Sequence, residues 1–83
     1  MKSSTTLAFR KQFAALPASL RAQARKQFRL WLENPFHPSL HFKPVGRYWS
    51  ARVNREVRVL GIRQNDEMIW FFIGVHDDYE GRI

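Results

Sequence analysis

The chain has 83 residues, with 14 Lys and Arg against 7 Asp and Glu, for a formal charge of +7. A chain this short holds one small domain, here residues 1–83, which buries only about 60% of the surface its unfolded form exposes, so a two-domain enzyme is excluded. A hydrophobic fraction of 45%, with seven Phe, three Trp and two Tyr, excludes a disordered basic tail, and the absence of cysteine excludes disulfides, a thiolate nucleophile and a zinc ribbon.

The start, Met1 to Thr6, lacks the apolar stretch of a signal peptide, and no apolar run reaches the ~20 residues that span a bilayer, so a cytoplasmic protein is expected. Thr5 to Phe9 reads as a short strand, and Arg10 to Leu16 as a short helical turn ended by Pro17. Pro17 to Glu33 is the strongest helix, opened by a first-turn proline and stopped by Asn34-Pro35. Leu20, Ala24, Phe28, Trp31 and Leu32 form its apolar face. Arg21, Arg25 and Arg29 stack beside that face, as a solvated surface or as a contact for rRNA or an acidic partner. From Pro38 the period changes to two, giving strands over Leu40 to Val45, Tyr48 to Val53, Val57 to Ile62 and Glu67 to Gly74. Gly46-Arg47, Asn54-Arg55 and Gln64-Asn65-Asp66 supply the turns. The last strand is apolar on both faces, which makes it a central one.

These elements predict an α+β fold, two N-terminal helices on one face of a mostly antiparallel four- to five-stranded sheet. The alternation puts Leu40, Phe42, Trp49, Ala51, Val53, Val57 and Val59 toward the helices and Lys43, Arg52 and Arg58 together on the other side. Residues 1–63 carry +11 and residues 64–83 carry −4, so the cationic surface lies in the first two-thirds and favours a polyanion such as nucleic acid. Phe28, Trp31, Trp70, Phe71 and Phe72 read as core, His37 as a loop residue, and the spacing of His37, His41 and His76 matches no metal motif.

Trp49-Ser50-Ala51-Arg52-Val53-Asn54-Arg55-Glu56-Val57-Arg58 resembles the hairpin signature of RelE/ParE toxins from type II toxin–antitoxin systems, the YoeB-like branch above all. Ile73-Gly74-Val75-His76-Asp77-Asp78-Tyr79 is similar to that family's final strand and its His- and Tyr-containing end. The resemblance implies a microbial-ribonuclease-like fold and metal-independent cleavage of mRNA on the ribosome, with no cofactor. It also implies a cognate antitoxin as partner, contacts to rRNA, and no membrane.

Cleaving RNA needs a base for the ribose 2′-hydroxyl, positive charge for the phosphoryl oxygens and an acid for the leaving 5′-oxygen. By resemblance Arg58 stabilises the charge, His76 moves protons and Tyr79 contacts phosphate or a base, although Asp77-Asp78 separates a pair that lies adjacent in the family. Arg52, Arg47 and His41 are candidates for binding substrate; Arg52 and Arg58 also have structural readings, as ion-pair partners, for Arg58 with Glu56. YoeB-like toxins carry a glutamate near the position of Pro38-Ser39-Leu40-His41, where this chain has no carboxylate. The base therefore falls to His41, an imidazole able to accept a proton near neutral pH, or its work is shared by cations such as Lys43. A ParE-like poison of DNA gyrase and a catalytically silent RNA- or antitoxin-binding module are the alternatives.

Overall fold

The computed structural model describes residues 2–75. Its elements run β1 (Lys2–Thr5), α1 (Leu7–Ala14), α2 (Ala18–Glu33), a 3-10 turn at Pro38–Leu40, β2 (Lys43–Val45), β3 (Tyr48–Arg52), β4 (Val57–Gln64) and β5 (Glu67–Val75). One five-stranded sheet has the order β1-β5-β4-β3-β2, with β1 parallel to β5 and every other pair antiparallel. The predicted architecture holds, with β5 inside the sheet, but element ends move, and three of the shifts have a visible cause.

The first strand ends where the sequence reading began it. Thr6 takes the N-cap of α1, its Oγ1 accepting from the Phe9 N–H at 3.1 Å, so Leu7 to Phe9 are helical. The polar segment before them becomes β1 because β5 offers an unpaired edge: Lys2 N–H donates to Asp66 O and Thr6 N–H to Trp70 O. Pro17 sits at the N-cap of α2 rather than in its first turn. The strand expected over Leu40 to Val45 shortens to Lys43–Val45, because Pro38 and the His37 ring, which accepts from the Ser39 N–H, wind a 3-10 turn instead.

Most of the core lies between the helices and the sheet. Trp31 packs edge-on to Phe42 and Trp70, with ring centroids 5.8 and 5.3 Å apart, and Leu40, Ala51 and Met68 complete the cluster. Gly61 is required here, since a Cβ would stand 2.7 Å from Met68 Sδ and 2.8 Å from Trp70 Cε3. Val53, Val57 and Ile73 form a second cluster, under Phe9, Phe13 and Leu20. The apolar face expected of α2 is only partly used. Phe28 is 41% exposed and Leu32 52%, so neither is core, because α2 seats Trp31 alone deeply in the sheet.

The side away from the helices is also not bare. A β-bulge at Leu60/Gly61 adds one residue to β5, so that Phe71 and Phe72 both pack on this side, Phe72 against Leu60 and Phe71 against Tyr48 at 5.0 Å between centroids. Leu60 and Phe72 are buried there, which leaves the polar surface to the end of the sheet where β3 turns into β4.

Candidate active site

That end is built by the connection between β3 and β4. Asn54 Oδ1 accepts from the N–H groups of Glu56 and Val57, each at 2.8 Å, and Val53 N–H donates to Val57 O at 2.9 Å, which tightens the loop and fixes the strand register. In that register Arg52 lies directly opposite Arg58, and Lys43 lies opposite Ser50, two residues from Arg52 on the same side. Lys43, Arg52 and Arg58 thus share one side of the sheet, as the alternation predicted. Like charges in direct cross-strand register oppose folding, so the Arg52–Arg58 pair brings the fold no stability through its charges.

The two guanidinium groups relieve their repulsion by diverging. Arg58 Nη1 donates to Asn54 O at 2.6 Å and reaches Val57 O at 3.4 Å; it turns to the backbone, not to an ion pair with Glu56. Arg52 Nη1 stands 3.3 Å from His41 Nε2. A guanidinium has no lone pair to offer, so this contact needs Nε2 to carry the free electron pair and Nδ1 the proton. In this contact His41 is therefore the acceptor, through Nε2. Its backbone is in the left-handed region, φ 47° and ψ 41°, a strained conformation for a residue with a Cβ. That turn swings the imidazole from the end of the 3-10 turn to the side of Arg52.

Between α2 and this end of β3 lies a polar cleft of about 470 Å³, walled by Gln23, Lys26 and Gln27 on the helix and by Ser39, His41, Arg52, Val53 and Asn54 on the sheet side. It exists because β2 stops short of Arg52: Gln27 Nε2 donates to Arg52 O at 3.0 Å, capping a stretch of sheet edge that β2 does not reach. The glutamines and Lys26 were not legible as site residues, since their only sequence mark is a polar face on a helix. Arg47 is exposed in the turn after β2, five residues from Arg52 and so about 16 Å along the strand, outside the cluster. His76 and Tyr79 lie outside the described residues. Among the described residues no group of three His, Cys, Asp or Glu side chains is placed to hold a metal ion, and no helix is long and apolar enough to cross a membrane.

Neither a protein-family model nor a curated protein matches the sequence. Solved structures do match the fold. A YoeB/ParE toxin from Agrobacterium tumefaciens superimposes with a TM-score of 0.72 at 19% identity, over 92% of this chain and 99% of the toxin. YafQ from Escherichia coli gives 0.73 at 14%, over 93% and 94%. The chain has the RelE/ParE toxin fold. A RelB–RelE antitoxin–toxin complex from Methanococcus jannaschii extends the likeness, with 0.73 at 12% over 95% of this chain and 96% of that one. Such matches cover nearly the whole length of both chains, so the RelE/ParE fold accounts for β1 and both helices as well as for the hairpin that carries Arg52 and Arg58.

Proposed function

We propose that this chain is the toxin of a type II toxin–antitoxin pair and that it cuts ribosome-bound mRNA without a metal. The observation that carries the reading is the Arg52–Arg58 cross-strand pair beside the imidazole of His41: a like-charge pair that weakens the fold and suits a phosphate. Once Arg52 turns from His41 to a flanking phosphate, His41 Nε2 is free to take the proton of a ribose 2′-hydroxyl, whose oxygen then bonds to phosphorus. The bond from phosphorus to the 5′-oxygen breaks, the leaving oxygen is protonated, and a 2′,3′-cyclic phosphate remains. Arg58 swings from Asn54 O to the phosphoryl oxygens as their charge grows, with Lys43 and Arg52 holding the flanking backbone. By resemblance the acid is His76, with Tyr79 against the phosphate or a neighbouring base.

The partner is an acidic antitoxin. An apolar groove of about 430 Å³ opens between α1, α2 and the sheet, floored by Phe9, Phe13, Phe28 and Trp31, with Arg10 and Arg25 at its rim. The cation of Arg25 lies over the Phe13 ring at 5.1 Å and Arg21 donates to Leu16 O, so this stripe is partly tied down rather than fully solvated. An acidic amphipathic segment meets both the apolar floor and the cationic rim, and a second copy of this chain, at +7, does not.

Expression in a translation extract, followed by primer extension on a reporter mRNA, tests the reading. Cuts that need ribosomes and vanish with Arg58→Ala support it; intact mRNA with both proteins refutes it. The gyrase-poison alternative is favoured by one observation, the lack of any carboxylate among the described residues that wall the cleft around His41. A DNA-damage response with intact mRNA is its signature.

A further inference from the structure

We infer that the cleft between α2 and β3 is a nucleotide subsite, in which Gln23 and Gln27 hold a nucleobase by its edge and Lys26 and Arg52 hold its phosphate. The two amides are oriented by the backbone. Because Asn54 Oδ1 is taken by two backbone N–H groups, its Nδ2 must face outward, and it donates to Gln23 Oε1 at 2.9 Å. Gln23 therefore has its oxygen engaged, which leaves its Nε2 donors for a ligand in the cleft that it lines. Gln27 is set the opposite way. Its Nε2 donates to Arg52 O, a carbonyl that can only accept, so its Oε1 is the atom left over.

Two glutamines one helical turn apart, their Cβ atoms about 5–6 Å from each other, thus offer one donor and one acceptor with the roles fixed. The Watson–Crick edge of each nucleobase carries an acceptor beside a donor and complements this pair. Lys26 lines the cleft beside the glutamines on α2, and Arg52 and His41 line it from the opposite wall. The space of about 470 Å³ falls in the range of small-molecule sites, and Val53 gives it one apolar wall. Among the described residues the only ring that lines the cleft is the His41 imidazole, so edge hydrogen bonds and charge carry most of the recognition. Placing this nucleotide beside the one that is cut rests on the ribonuclease reading above; nucleotide binding itself does not.

The test is NMR titration of the full chain with each of the four nucleoside 5′-monophosphates and with inorganic phosphate, following the side-chain amide of Gln23. The expected result is saturable shifts of that amide, with at least one nucleotide bound about tenfold tighter than inorganic phosphate. Gln23→Glu keeps the acceptor toward Asn54 and removes the donor; it is expected to weaken that nucleotide about tenfold. Ala18→Glu adds the same charge at an exposed position on the other face of α2 and is expected to change binding by less than about threefold. Nucleotides bound no tighter than phosphate, or equal losses in the two variants, overturn the subsite. Nucleotide binding of the expected kind with ribosomal mRNA left intact keeps the subsite and removes the ribonuclease; ribosomal cleavage without discrimination at Gln23 does the reverse.

Discussion

The two sides of this sheet use the same strands for different ends. Under the helices, β3, β4 and β5 present Ala51, Val57, Met68, Trp70 and Ile73, side chains whose worth is the water they exclude. On the other side, at the β3–β4 end, the same strands set Arg52 against Arg58 and tie them to backbone carbonyl and imidazole. The first arrangement stabilises the domain; the second weakens it slightly and, on the reading proposed above, serves as a surface for phosphate. Stability and activity should therefore separate by side.

The largest effect belongs to the helix side. Trp70→Ala opens a void beneath Trp31 and is expected to cost about 3–5 kcal/mol, enough to unfold much of so small a domain, as read from urea denaturation. Gly61→Ala forces a Cβ against buried Met68 and Trp70, and a loss of about 1–3 kcal/mol is expected in the same assay. Across the sheet, Arg58→Ala is expected to reduce ribosome-dependent cleavage by about 10²–10³ while lowering stability by no more than about 1 kcal/mol. The comparison sharpens at His41. Glycine relieves its left-handed backbone, so His41→Gly is expected to raise stability by about 0.5–1 kcal/mol and to depress cleavage, a gain and a loss in one variant. Lys43→Ala carries the smallest change, about tenfold in cleavage at low salt, shrinking as salt rises and screens the charge.

The sequence made much of this legible, and unevenly. Alternation along β3 and β4 is a local property, so the shared side of Lys43, Arg52 and Arg58 follows from counting by twos. What counting missed depends on contacts distant in the chain. Lys2 to Thr5 is polar and becomes a strand only because β5 has a free edge to offer. Leu40 and Phe42 both reach the core as expected, yet Leu40 does so from a 3-10 turn that Pro38 and the His37 cap impose. The bulge that sends Phe71 and Phe72 to one side leaves no mark in an unbroken apolar run. Gln23 and Gln27 acquire meaning only once Asn54 and Arg52, twenty-five or more residues on, lie beside them. Even the correct grouping of the cations missed their posture, since the sequence could not show that Arg58 is held by the Asn54 carbonyl.

The most direct test of this separation takes stability and cleavage from one preparation of the Arg52→Ala/Arg58→Ala variant, by urea denaturation and by primer extension on ribosome-bound mRNA. Removal of a repelling pair predicts a domain within about 1 kcal/mol of the parent and no ribosome-dependent cuts. A variant that unfolds readily, or one that still cuts at the parent's sites, contradicts it.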